Sequence, residues 1–198
     1  MGLELEYIDG QTPLEDEEKE GLKLKTISTH GELDEHEQLN IEKAVEWLMG
    51  KKLKPTQILS EKFIVNLHKR MFKDMWRWAG EFRKTEKNIG IPWISIPIEL
   101  RQLTDDTQFW IDNHTYSPEE IAIRFKHRLV RIHCFANGNG RHSRMMADLI
   151  LESIFGKEPF SWNASKNLSE EQLRKQYIKA VKEADDGNIA PLLKFAME

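Results

Sequence analysis

Along most of the chain, apolar residues recur at the three-and-four spacing of a helix face. DEHEQLNIEKAVEWLM over 34–49 predicts a helix closed by Gly50, and SEKFIVNLHKRMF over 60–72 predicts a second with Ser60 as N-cap. Residues 98–113 predict a third, with Leu100, Leu103, Thr107, Trp110 and Ile111 on one face. SPEEIAIRFKHRLVRIHCF opens on a capping box, Ser117 to Glu120, with Pro118 at the first helical position; Ile121, Phe125, Leu129 and Ile132 form its buried stripe. A helix from near Arg141 carries Ala147, Ile150, Leu151 and Ile154 on its apolar face and stops at Gly156. Another runs from Ser169, with Gln172 as box partner, to about Ala184, and a short closing helix falls near 189–197.

One stretch breaks the pattern. In FRKTEKNIGIPWISIPIEL, Ile89, Ile91, Trp93 or Ile94, and Ile96 alternate among Gly90, Pro92 and Pro97, which reads as strand or hairpin. The fold expected is therefore mainly α with a small β-hairpin. No internal repeat or low-complexity segment interrupts it.

With 198 residues, 39% hydrophobic and 31% charged, the chain is expected to be one soluble domain with a full core. No run reaches the roughly 20 apolar residues of a membrane span. MGLELEYIDGQ lacks the basic start and apolar core of a secretory signal, and Glu6 spoils a myristoylation reading of Gly2. Cys134 is the single cysteine, so an internal disulfide or multi-cysteine zinc site is excluded and a cytoplasmic setting is expected. Residues 1–40 hold 12 Asp or Glu against 3 Lys, a net of −9, whereas the whole chain is −4, leaving +5 on residues 41–198. That asymmetry suggests an acidic arm able to lie on a cationic body, and the overall balance argues against a nucleic-acid partner, as the lack of a long apolar run does against a membrane.

The chemistry concentrates in IHCFANGNGRHSRMMADLIL, 132–151. A Gly-Asn-Gly turn between two helices can aim backbone N–H groups into one concavity, and the helix N-terminus after it favours an anion. Arg141 and Arg144 share a helix face and can fork onto phosphate oxygens. His133 stands beside that cradle as a general base titrating near neutrality. Taken singly, the same residues serve equally as a connector, an Arg144–Asp148 pair and a core histidine.

In this order, HCFANGNGRHSR resembles the Fic/Doc signature HxFx(D/E)GNGRxxR, with seven of eight fixed positions present. Residues 67–91 resemble the family's helix and target-docking flap, and 177–195 its closing helix. Residues 10–41 look like the start of a stand-alone bacterial branch called mobile mystery protein B. The resemblance implies a Fic-type helical bundle over 41–198, with 1–40 as an arm, regulatory in function. It implies transfer of AMP from ATP, with Mg²⁺, to a Ser, Thr or Tyr hydroxyl of another protein. His133 would take the hydroxyl proton, Gly138, Asn139 and Gly140 would hold the α- and β-phosphates, and Arg141 and Arg144 the distal ones. The target would dock along 88–96 by strand addition. Transfer of another phosphate-containing group or of the terminal phosphate, and a non-catalytic nucleotide-binding regulator, remain alternatives. A toxin role, restrained by the arm or by an antitoxin, is compatible with the enzyme readings.

Two departures stand out. Asn137 replaces the usual Mg²⁺-binding carboxylate and offers an uncharged amide oxygen instead. Cys134 replaces the common proline, but neighbours on a helix end point about 100° apart, so a Cys–His nucleophilic pair fails on spacing. Some Fic proteins carry an inhibitory (S/T)xxxE(G/N) helix; Ser28 and Glu32 have its spacing although Leu33 breaks its end, so Glu32 is expected to pair with Arg144. Trp162 and Tyr177 could line an adenine pocket or simply fill core.

Overall fold

The computed structural model describes residues 12–163 and 168–198. The chain is helical: α1 (Asp16–Glu20), α2 (His30–Leu48), α3 (Pro55–Ile58), α4 (Glu61–Phe72), α5 (Ile96–Asp112), α6 (Pro118–Ile132), α7 (Asn139–Leu149), α8 (Glu170–Asp185) and α9 (Ala190–Met197). A π-helical turn, Ile150–Ile154, extends α7 to Gly156, whose φ of 64° ends it.

Local chemistry explains the boundaries. Ser60, Ser117 and Ser169 each accept an N–H of the first turn, from Phe63, Glu120 and Gln172. Helix α2 begins earlier than its apolar pattern indicates, because Thr29 and Glu32 close a capping box that carries it through His30 to Asp34.

Helix α6 is the centre, packed against α5, α7 and α9, while α4 joins α2 to α7. Its stripe of Ile121, Phe125, Leu129 and Ile132 is buried, each side chain contributing roughly 1.5–3 kcal/mol. Lys126 is buried on the same helix and donates to the Tyr177 hydroxyl at 2.5 Å; burial pulls its pKa down. No helix among the described residues is long and apolar enough to cross a membrane.

The expected β-hairpin over 88–96 is not formed: these residues run as bends into a 3-10 turn, Trp93–Ser95, and then α5, and no strand occurs among the described residues. Proline explains the failure of the alternation. Pro92 is fixed at φ −52° with no N–H, and Pro97 sits in the first turn of α5, so the repeat lacks the donors a ladder needs.

Residues 1–11 of the acidic arm, with Gly2, lie outside the described residues. The part that follows lies on the body. Leu14 and Leu22 are core residues, and the strip is tied to 75–77 by Lys23 N–H to the Met75 carbonyl (2.8 Å) and Arg77 N–H to the Gly21 carbonyl (2.9 Å). Lys87 Nζ reaches Glu18 at 2.5 Å and the Pro13 carbonyl at 3.2 Å.

Candidate active site

The loop between α6 and α7 is held from three sides. His133 caps α6 in the left-handed region, φ 57° and ψ 59°, which costs a non-glycine residue about 1–2 kcal/mol. Arg83 supports it: Nε donates to the His133 carbonyl at 2.6 Å, Nη1 to Thr85 at 2.8 Å and Nη2 to the Ile91 carbonyl, while the Arg83 backbone N–H bonds the Cys134 carbonyl at 2.9 Å. This one buried guanidinium joins the histidine's backbone to the 85–91 segment. Asn139 clips the loop from within, accepting from Phe135 N–H at 3.0 Å and donating to the Phe135 carbonyl at 2.8 Å. Its side chain is therefore structural, and only its backbone N–H is left for an anion.

His68 supports the loop from beneath. Its ring stacks on Phe135 with centroids 3.6 Å apart. Nδ1 accepts the Gly80 N–H at 3.0 Å, so the ring proton sits on Nε2, which donates to the Asn137 carbonyl at 3.0 Å. Burial pushes its pKa well below the usual histidine value, so it is a neutral strut. Gly138 turns at φ 79°, where a Cβ would lie 2.5 Å from the Phe72 ring. No other residue fits there. The first N–H groups of α7 have no partners inside their helix.

His133 Nε2 lies 3.1 Å from the Thr12 hydroxyl. The Val130 carbonyl favours the protonated ring, but Nδ1 makes no bond of good geometry. Desolvation first, then the charges of Arg83 and Lys87, push the His133 pKa down to about 4, so the imidazole is neutral at pH 7 with a lone pair to accept a proton. Gly90, at φ 106°, packs against it so closely that a Cβ would meet the His133 Cβ at 2.6 Å. Buried Cys134 has its thiol pushed up to about 12, which removes it as a nucleophile.

The two arginines are already occupied. Arg141 forms a 2.5 Å ion pair with Glu37, whose carboxylate is buried and also accepts from Trp76 Nε1 at 2.5 Å. Arg144 lies over the rings of Tyr177 (4.3 Å) and Trp162 (5.3 Å). Both open onto a cavity of about 840 Å³ between α2 and α7, further walled by Gln38, Met145 and Asp148. Asp148 makes no ion pair with Arg144; it accepts from Trp162 Nε1 at 3.1 Å and from Phe160 N–H at 3.2 Å, and burial raises its pKa to about 6.

Glu32 does not face Arg144. Its carboxylate accepts from Ser28 N–H (2.9 Å) and Thr29 N–H (3.2 Å), which hold its pKa below the usual range, and its side chain is exposed. The N-cap consumed the charge, and Glu37, one turn and more along α2, is the acid that meets a motif arginine. Asn137 turns its amide oxygen back onto the Gly138 N–H at 2.5 Å. No cluster of three metal-ligating His, Cys, Asp or Glu occurs among the described residues.

The description Fic/DOC family matches residues 58–151. Protein adenylyltransferase Fic of Drosophila grimshawi is 26% identical over 193 residues, covering 95% of this chain and 38% of that protein. Its Aedes aegypti counterpart is 24% identical over the same length and covers 37% of that protein. In structure, BepC of Bartonella tribocorum with bound AMPPNP superposes with a TM-score of 0.68 at 19% identity, covering 96% of this chain and 93% of that one. Fic-1 of C. elegans (residues 134–508, E274G) gives 0.66 at 23% identity, covering 83% and 48%.

Residues 58–151 are similar to the Fic/DOC family, and the helical fold is shared with solved Fic structures. The chain spans under two fifths of the length of the curated relatives it matches. In this chain the structure brings His133, Gly138, Gly140 and Arg141 to one loop and helix start, with Asn139 as its clip and Arg144 one turn further on. Sequence reasoning missed Thr12, Glu37, His68 and Arg83. For Glu37 a signal existed: it sits four residues from both Leu33 and Ile41, a carboxylate on the buried stripe of α2.

Proposed function

We propose that this chain transfers AMP from ATP to a Ser, Thr or Tyr hydroxyl of a target protein. The observation that carries the reading is a neutral histidine with a hydroxyl hydrogen-bonded to Nε2, set at the edge of a glycine turn that opens a helix bearing two arginines. The target oxygen attacks the α-phosphorus and its proton passes to His133 Nε2. The bond to the β-phosphate breaks, and pyrophosphate leaves with the electron pair. The N–H groups of Asn139 and Gly140, and that of Gly138 once it leaves the Asn137 amide oxygen, receive the α- and β-phosphate charge. Arg141 and Arg144 receive the distal charge, for which Arg141 must first exchange Glu37 for phosphate oxygens. The names of the insect relatives and the AMPPNP-bound BepC support a nucleotide substrate.

Mg²⁺ remains part of the proposal as an ion brought in with the nucleotide, and no step above runs through it. The target docks against 88–96 by its exposed Ile89, Trp93 and Ile94, on side chains rather than by strand addition. A cytoplasmic toxin restrained by its own arm or by an antitoxin fits the same chemistry. A non-catalytic nucleotide-binding regulator is the second reading, favoured by the Asn137 amide being spent on Gly138.

Lysate incubated with the protein and ATP labelled at the α- or the γ-phosphate separates these. Label on protein from α alone, lost in His133→Ala, is expected. Label from γ alone supports terminal phosphate transfer instead, and no label with retained ATP binding supports the regulator.

A further inference from the structure

The hydroxyl at His133 belongs to the chain itself. Thr12 Oγ1 stands 3.1 Å from Nε2, the atom that takes a proton from an acceptor in the transfer proposed above. Thr12 is buried, and the strip that carries it is anchored along its length. Leu14 sits in the core, the Pro13 carbonyl accepts from Lys87 Nζ at 3.2 Å, and Glu18 takes Lys87 Nζ at 2.5 Å through its carboxylate and Trp78 Nε1 at 3.0 Å through its carbonyl. Lys87 and Trp78 belong to the stretch that runs into Gly90, which touches His133 from its own side. The acceptor strip and the proposed docking segment thus meet at the same imidazole.

We infer that Thr12 is the chain's own acceptor, adenylylated in cis. The inference rests on the AMP-transfer reading and adds to it one specific hydroxyl. Thr12 Oγ bonds to the α-phosphorus of ATP, the hydroxyl proton goes to His133 Nε2, and the bond to the bridging oxygen of the β-phosphate breaks, releasing pyrophosphate and leaving AMP as a phosphodiester on Thr12. A hydroxyl tethered at hydrogen-bonding distance from the base has an effective concentration no diffusing target matches, with effective molarities on the order of 10⁵ M or more for well-oriented intramolecular pairs. Self-modification therefore precedes the modification of other proteins.

The test uses the full chain with ATP labelled on the α-phosphate and Mg²⁺, read by intact mass, by peptide mapping and by label on added lysate proteins. The expected result is one AMP on the peptide containing Thr12, formed at a first-order rate that does not change with protein concentration. Thr12→Ser keeps the label on that peptide. Thr12→Val, which retains shape without the hydroxyl, and His133→Ala lose it, while Thr12→Val continues to label lysate proteins and so reports a folded enzyme. Lysate proteins labelled by the wild type with Thr12 unmodified overturns the inference and leaves the transfer reading standing. A Thr12 labelling rate proportional to protein concentration also overturns it, because the reaction is then between molecules. Absence of label on both Thr12 and lysate proteins removes the transfer reading and the inference together.

Discussion

The two glycines of the GNG turn carry opposite consequences for stability. At Gly138 the backbone has φ 79° and a Cβ would lie 2.5 Å from Phe72 Cζ and 2.6 Å from Cε2. Phe72 is a fully buried ring of α4 and cannot give way without moving the core. Gly138→Ala therefore adds the left-handed penalty, about 1–2 kcal/mol, to an overpacking cost of about 1–3 kcal/mol, or about 2–5 kcal/mol together. Gly140 lies inside α7, with nothing within 4 Å of its added Cβ. Gly140→Ala gains up to about 1 kcal/mol by limiting the unfolded chain and improving helix propensity. Urea unfolding followed by far-UV circular dichroism measures both, with an unchanged m-value as the control for two-state behaviour. For a chain of this size each kcal/mol moves Tm by about 2–4 °C, so the variants should bracket the wild type in thermal melts as well. Equal shifts for the two variants, or a Gly138→Ala cost below about 0.5 kcal/mol, the range of ordinary surface changes, would refute the reasoning.

Gly90→Ala drives a Cβ into His133 at a φ of 106° and should lower label transfer while leaving ATP affinity, measured by calorimetry, near the wild-type value. Glu37→Gln removes the charge competing for Arg141 and should tighten ATP binding by about tenfold, since hydrogen bonds to charged groups contribute about 1.5–3 kcal/mol; unchanged affinity would mean that the distal phosphates bind elsewhere. Asn137→Asp should raise transfer and make it more sensitive to Mg²⁺, read by titrating the ion. Stability should fall on acidification from pH 6.5 towards 4. His133 and His142 have folded pKa values of about 4 against an ordinary 6.5, so in that window the unfolded chain binds more protons, and each contributes about 3 kcal/mol at pH 7 that is lost as pH drops. Asp148, raised to about 6, works in the opposite sense and offsets part of the loss. Urea unfolding at pH 7 and pH 4.5 gives the sign, and a gain at pH 4.5 would contradict it.

The helices and the loop were legible because each depends on neighbours in sequence. Ser117 and Pro118 open α6 where their chemistry says, although Glu120 turns to Arg124 at 2.9 Å instead of closing its box. The hairpin was misread because alternation of isoleucines ignores the missing donors of Pro92 and Pro97. Glu32 was misassigned because its spacing serves a capping box as well as an inhibitory motif, and the nearer N–H groups of Ser28 and Thr29 won. His68 and Arg83 hold the loop from 69 and 50 residues away. Nothing in their local sequence marks them as supports, since the partners are backbone carbonyls that only folding brings near.

The most direct measurement is a crystal structure with a non-hydrolysable ATP analogue. The expected density places the α- and β-phosphates on the N–H groups at the start of α7, the α-phosphorus within reach of His133 Nε2, and Arg141 turned from Glu37 to the distal phosphates. A nucleotide bound away from this loop, with the Glu37–Arg141 pair intact and Nε2 facing no phosphorus, would contradict the account.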